Sequence, residues 1–124
     1  MAHMAVLADA ALDDRERELL GRFVAALEET YGDDLDAVWL YGSRARGERS
    51  HEESDIDVLV VTRGDRGDEA LIPTLWRVLD ETGNPPVLVD PRQRSRAWVS
   101  GRRAIDSFFL RDVDRDKIVL YGDP

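Results

Sequence analysis

The 124-residue chain has no cysteine, one lysine and a low aromatic content of 7%. The lack of cysteine excludes disulfide bonds and thiolate-bound metals, and it favours a reducing, cytoplasmic location. No apolar run approaches the roughly 20 residues that a membrane helix requires, and no signal peptide is recognisable. The net charge of -9 disfavours general nucleic-acid binding, because such binding depends on phosphate neutralisation by Lys and Arg.

Length and composition predict one globular domain over residues 1–124, with residues 1–4 interpreted as a cloning remnant. Hydrophobic residues make up 43% and charged residues 35% of the chain, which is typical of a soluble folded protein. The chain is too short for a catalytic domain together with a large acceptor-binding domain. Any large acceptor is therefore expected to be held by another protein.

Helical and strand patterns alternate along the chain, which predicts a fold of the α/β class. Asp13 and Glu16 are spaced as a capping box at the start of the first helix. The residues after Asp57 are apolar without interruption, which suits a strand covered on both faces of a sheet. The three tryptophans are interpreted as core residues. The patterns predict helices over 13–31, over 68–82 (regular from Leu71 or Ile72) and within 94–111, and strands over 37–41, 56–61, 86–89 and 117–121.

Two acidic residues, Asp55 and Asp57, open this apolar strand. Residues two apart in a strand point to the same face with Cα atoms about 6.5–7 Å apart, so the two carboxylates would converge. A hard divalent cation removes their repulsion, and Mg²⁺ prefers such oxygen ligands together with phosphate oxygens. Taken alone, the pair is equally well explained as turn residues beside a strand.

A glycine-serine turn precedes the acidic pair at the end of another predicted strand. Gly42 allows the backbone to turn sharply and approach a ligand, and Ser43 can cap a following helix. Free amides at such a turn attract phosphate oxygens, and Arg44 and Arg46 could add charge-assisted hydrogen bonds. Taken alone, the turn could also be an ordinary strand-turn-helix connection with solvated arginines.

Together, the run Gly-Ser-Arg-Ala-Arg-Gly at 42–47 and Ser-Asp-Ile-Asp at 54–57, entering an apolar strand, resembles the minimal nucleotidyltransferases of the DNA polymerase beta superfamily. The flanking helices and strands are also similar to that family. The resemblance implies a polymerase-beta-like domain, in which helices pack on a small mixed sheet.

The resemblance also implies a reaction, in which an acceptor oxygen attacks the α-phosphate of a nucleoside triphosphate and pyrophosphate leaves. Asp55 and Asp57 would hold one or two Mg²⁺ ions. Gly42 and Ser43, with Arg44 and Arg46, would bind the triphosphate. ATP is the donor expected by analogy with the family, although no residue here selects a base.

A third carboxylate inside a later strand is usual in active members of the superfamily. The predicted strand 86–89 contains no acid, and Asp90 lies at its end before Pro91, where a turn residue is an equally good interpretation. Three alternatives remain: Asp90 serves as the third catalytic acid, two acids suffice for a slower reaction, or nucleotide is bound without turnover.

The resemblance further implies a partner, a helical HEPN-domain protein, with this chain acting as the antitoxin of a toxin-antitoxin pair. The alternative is a non-catalytic module that binds nucleotide or toxin. An arginine cluster could contact an acidic partner, an RNA or nucleotide phosphates, or could be a solvated helix face. Its members are Arg92, Arg94, Arg96, Arg102 and Arg103.

Overall fold

The computed structural model describes residues 10–47 and 55–124. Its elements follow the α/β alternation that the sequence predicts. The bounds are α1 (Asp14–Tyr31), a short 3₁₀ helix (Gly32–Asp34), β1 (Leu35–Tyr41), β2 (Ile56–Thr62), α2 (Leu71–Glu81), β3 (Val89–Ser95), α3 (Arg96–Ala104), α4 (Phe108–Asp116) and β4 (Ile118–Gly122).

The four strands form one mixed sheet in the order β3-β2-β1-β4. Strand β1 pairs antiparallel with both β2 and β4, whereas β2 and β3 run parallel. The mixed sheet expected from the family resemblance is therefore confirmed, and β3 lies at one of its edges.

The capping box at the start of α1 is confirmed. The Glu16 amide donates to Oδ1 of Asp13 at 2.8 Å, and the Asp13 amide donates to Oε1 of Glu16 at 2.9 Å. These two bonds satisfy amides that would otherwise lack partners in the first helical turn. The expected start of α2 is also confirmed, since Pro73 lies in the first turn, where its missing N–H costs nothing.

Both faces of the sheet are covered by helices, so β2 is buried on each side as predicted. The side chains of Ile56, Val58 and Val60 pack in one cluster with α1 and α2. Those of Leu59 and Val61 pack in a second cluster with α3 and α4. The period-two alternation of a strand divides β2 between the two cores.

Two predictions were wrong. The third strand was expected over 86–89, but β3 begins at Val89 and ends at Ser95. An edge strand can contain Pro91, because one side of its backbone has no neighbour, and it needs no continuous apolar run. Trp76 was expected in the core, but its side chain on α2 is 67% exposed. Within the described part of the chain, no helix is both long and apolar enough to cross a membrane.

Candidate active site

Three strands bring Tyr41, Asp57 and Asp90 side by side. Asp57 pairs with Tyr41 across the antiparallel β1–β2 ladder and with Asp90 across the parallel β2–β3 ladder. Directly opposed residues of neighbouring strands project to the same face, so the two carboxylates lie together on the face covered by α3 and α4. Asp90 is therefore a residue of β3 itself, and of the two interpretations offered for it, the one as a turn residue was wrong.

Gly42 follows β1 immediately and packs against the Asp57 carboxylate. Its φ of +78° belongs to a region that side chains disfavour, and a Cβ on Gly42 would collide with Oδ2 of Asp57. The Gly42 carbonyl then accepts from the Arg46 amide at 3.2 Å, which closes the turn. The absence of a side chain at Gly42 thus allows the turn backbone to touch the acidic group.

Negative charge is concentrated at Asp57. Its carboxyl pKa is raised, first because burial disfavours the ionised form, and then because Asp90 and Asp55 add negative charge nearby. The guanidinium groups of Arg92 and Arg46 oppose the increase. Burial and the charge of Asp57 likewise raise the pKa of Tyr41. A bound cation would relieve this repulsion.

The donor set fits Mg²⁺ as a pair of carboxylates. Asp55 precedes β2, is exposed, and lies within electrostatic reach of Asp57. Among the residues in 10–47 and 55–124, no group of three or more His, Cys, Asp or Glu side chains is arranged to hold a metal. Mg²⁺ commonly takes only one or two carboxylates and completes its coordination with water and substrate phosphates, so a two-acid site suits it.

The two arginines of the turn have different environments. Arg44 is buried, with its Nη1 donating to Oε2 of Glu16 and to the Ala11 carbonyl, both at 2.9 Å. Its carbonyl also accepts from the Ala11 amide at 2.8 Å. Arg44 therefore ties the turn to the start of α1, which differs from the phosphate contact expected of it.

Unlike Arg44, Arg46 is oriented toward the face of the sheet that α3 and α4 cover. It forms an ion pair with Asp116 at the end of α4, with Nη1 and Oδ2 3.4 Å apart, and 36% of its side chain is exposed. Its positive charge also opposes the increase in the pKa of Asp57, so Arg46 lies close to the acidic group. Ser43 is half-buried in the turn. The helix that Ser43 was expected to cap does not begin there, since residues 43–47 form a turn. Residues 48–54, which include Ser54 of the motif, lie outside the described residues.

The sequence predicted one of the two roles of Glu16, its part in the capping box, but not its contact with Arg44. One carboxylate oxygen closes the capping box of α1 and the other binds Arg44. The same side chain thus links the first helix to the turn beside Asp57. The spacing of the capping box was visible in the sequence, but the contact between residues 28 positions apart was not.

The arginine cluster of residues 92–103 divides into two groups. Arg96 and Arg103 form ion pairs with Asp36 and Asp114. Arg92, Arg94 and Arg102 instead line a cavity on the face covered by α3 and α4. The interpretation as one uniform solvated helix face is therefore wrong, because the members lie in different surroundings and two of them belong to β3.

Comparison with known proteins identifies the family and agrees with the fold. The family model described as "Nucleotidyltransferase domain" matches residues 20–119. A mutant of the toxin-antitoxin MntA-HpeT, in which two aspartates two positions apart are glutamates, has a similar fold (TM-score 0.55, 16% identity, 83% of this chain and 73% of that chain). No curated protein matches the sequence.

Two further solved structures have the same fold. One is a toxin-antitoxin with AMP-PNP (TM-score 0.54, 17% identity, 83% of this chain and 73% of that chain). The other is a candidate nucleotidyltransferase from Sulfolobus solfataricus (TM-score 0.53, 20% identity, 98% of this chain and 90% of that chain).

Proposed function

Because the chain belongs to the nucleotidyltransferase domain family, we propose that it transfers a nucleoside monophosphate from a triphosphate, with ATP as the donor, to an acceptor hydroxyl. The observation that carries this proposal is the packing of Gly42 against Asp57, with Asp90 in the neighbouring register position. The partly buried Gly42 turn and an acidic group are thus in contact. This is the arrangement that a metal-bound triphosphate requires.

Asp55 and Asp57 are the proposed Mg²⁺ ligands. When bound, Mg²⁺ would neutralise charge on the triphosphate and on the attacking oxygen. The raised pKa of Asp57 supports this assignment, because burial and then the charges of Asp90 and Asp55 disfavour its ionised form in the protein alone, and a bound cation would offset both.

Asp90 is proposed as the third catalytic acid. The pairing of Asp57 with Asp90 supports a position on the acceptor side of the metal ligands, where a carboxylate can accept the proton of the attacking hydroxyl. Arg92 lies near it, with Nη2 3.9 Å from Oδ2 of Asp90. This weak pair leaves the Asp90 side chain 44% exposed and therefore accessible to a substrate.

The turn at 42–47 is proposed to hold the triphosphate through backbone amides near Gly42 and Ser43 and through the Arg46 side chain. Arg44 would act indirectly, since its buried pair with Glu16 holds the turn in place. The structure of a toxin-antitoxin with AMP-PNP supports an adenine nucleotide as donor.

The acceptor is proposed to be a partner protein, a HEPN-domain toxin that this chain neutralises as an antitoxin. The support is the shared fold with toxin-antitoxin structures. The proposal assigns the protein to the cytoplasm, where nucleoside triphosphates are available. A second candidate function is nucleotide or toxin binding without turnover. It is favoured by the finding that no three acidic or histidine side chains of the described residues are arranged to hold a metal together.

Transfer of label from α-³²P-ATP with Mg²⁺ tests the proposal. The acceptors offered should include the protein encoded beside this gene, and the variant should be Asp55→Asn/Asp57→Asn. Asp80→Asn is a matched control, because Asp80 is exposed on α2. We expect label transfer by the wild type and the control, and none by the double variant. Metal-dependent ATP binding without transfer to the neighbouring protein would favour the second candidate.

A further inference from the structure

A cavity of about 290 Å³ opens beside the acidic group, on the face covered by α3 and α4. Its lining includes three arginines and three apolar side chains. These residues are Arg92, Arg94, Arg102, Leu59, Trp98 and Phe109. The volume lies near the lower end of the roughly 300–1,000 Å³ of small-molecule sites, which suits one nucleotide-sized unit.

The cavity begins two residues along β2 and β3 from the carboxylates of Asp57 and Asp90. Leu59 follows Asp57 by two residues on the same face of β2, and Arg92 follows Asp90 by two residues on β3. Two residues of strand correspond to about 7 Å. The Gly42 turn adjoins Asp57 from β1, on the opposite side of β2. The acidic group therefore lies between the turn and the cavity.

The arginines of the cavity are the least neutralised of the cluster. Within the described parts of the chain, Arg94 and Arg102 form no ion pair, and the Arg92 pair with Asp90 is long at 3.9 Å. Arg94 also donates to the Gln93 carbonyl at 2.7 Å. In a protein of net charge -9, unneutralised arginines facing one cavity favour an anionic ligand.

Trp98 holds two of these arginines in position. The guanidinium carbons of Arg94 and Arg102 lie 5.2 and 5.1 Å from the centre of its ring. Stacking on an aromatic face leaves guanidinium N–H groups available at the edge, in the planar arrangement that phosphate oxygens accept. The cavity is thus preorganised for a phosphate group.

Apolar surface beside the arginines favours a phosphate that carries a ring. Trp98 and Phe109 line the cavity and are partly exposed. Phe109 contacts Trp98 edge-on, with ring centres 6.2 Å apart, and also contacts Tyr41. A small inorganic anion would gain nothing from these surfaces, whereas a nucleobase would cover them.

We infer that this cavity binds a nucleoside monophosphate unit on the acceptor, which a partner protein carries once a first nucleotide has been transferred to it. Arg92, Arg94 and Arg102 contact its phosphate, and Phe109 contacts its base. In phosphoryl transfer the attacking and leaving oxygens lie roughly in line. With the leaving pyrophosphate on the Gly42 side, the attacking group enters from the cavity side. The acceptor role rests on the proposed function, whereas binding of the monophosphate does not.

Titration calorimetry with AMP tests the inference on the full chain, first without metal and then with Mg²⁺ and α,β-methylene-ATP already bound. We expect AMP to bind in both cases. Arg94→Gln/Arg102→Gln should weaken AMP binding at least about tenfold, since two charge-assisted bonds to its phosphate are lost. Arg77→Gln, an exposed arginine on α2, is the matched control and should bind as the wild type.

The single variant Arg102→Gln tests the same site without altering β3, because Arg102 is exposed on α3. Ribose 5-phosphate should bind more weakly than AMP, and adenosine more weakly still. AMP binding that is absent, or unchanged in both arginine variants, would overturn the inference. So would displacement of AMP by a glutamate peptide at equal concentration. AMP binding retained by Asp55→Asn/Asp57→Asn, which should lose the ATP analogue, separates this inference from the proposed function.

Discussion

The face of the sheet under α1 and α2 and the face under α3 and α4 differ in what they bury. Among the described residues, nineteen buried side chains form the cluster on the first face and eight form the cluster on the second. The second face instead carries Asp57, Asp90 and the arginine-lined cavity. One face is a closed core, and the other leaves charged groups accessible. The stability of the fold and the proposed chemistry therefore depend on opposite sides of the same strands.

The largest effect on stability is expected on the closed face. Phe23→Ala should lower the free energy of unfolding by about 3–5 kcal/mol, because Phe23 is 1% exposed and its loss leaves a cavity. Trp76→Ala, on the exposed side of α2, should change it by less than about 0.5 kcal/mol. Urea denaturation measures both. Equal losses would mean that α2 packs differently from the structure described.

A smaller loss of stability is expected at the contact between Glu16 of α1 and Arg44 of the turn at 42–47. Glu16→Ala removes one of the two bonds of the α1 capping box and the partner of buried Arg44, so it should cost about 2–4 kcal/mol. It should also weaken ATP binding, because the Gly42 turn loses its anchor. Glu18→Ala is the control, since its exposed pair with Arg22 contributes less than about 0.5 kcal/mol. ATP binding that survives Glu16→Ala unchanged would contradict the anchoring role.

Gly42→Ala should affect the open face more than the fold. The added Cβ meets the Asp57 carboxylate at a positive φ, which should cost about 1–3 kcal/mol of stability. Metal-dependent ATP binding should fall at least about tenfold, since the turn must move by several tenths of an ångström from the acid. Gly64→Ala is the control, because a Cβ there meets open space. Calorimetric titration and thermal denaturation report the two effects separately.

The smallest effect concerns the pH dependence of stability. Because burial and then the charges of Asp90 and Asp55 raise the pKa of Asp57 above its ordinary value in the folded protein, this carboxyl ionises first in the unfolded chain as pH rises. Ionisation of Asp57 therefore lowers stability as pH rises through its folded pKa. Asp57→Asn should melt at a higher temperature than wild type at pH 7.5, with a smaller difference at pH 4.5. A constant difference, or the same result for Asp80→Asn, would contradict this origin.

Local features of the fold could be predicted from the sequence, and features set by distant pairing could not. The capping box, the buried β2 strand and the glycine-serine turn each depend on residues close in sequence. The extent of β3 does not, because an edge strand with Pro91 and alternating polar residues lacks an apolar signal. The exposure of Trp76 depends likewise on which side of α2 meets α1.

The candidate site follows the same division. Asp55 and Asp57 were recognisable from their spacing at the start of an apolar strand. The position of Asp90 beside Asp57 depends on the register of two parallel strands, which no local pattern encodes. Arg44 and Arg46 look alike in sequence, but only the contact with Glu16 distinguishes the buried one from its neighbour.

We propose above that Asp55 and Asp57 share a cation that faces a triphosphate bound at the Gly42 turn. Calorimetric titration of α,β-methylene-ATP, with and without Mg²⁺, tests it most directly. We expect the wild type and Asp80→Asn to bind the analogue only with Mg²⁺. We expect no binding by Asp55→Asn/Asp57→Asn. Equal binding by the double variant, or binding by the wild type that is indifferent to Mg²⁺, would contradict the account.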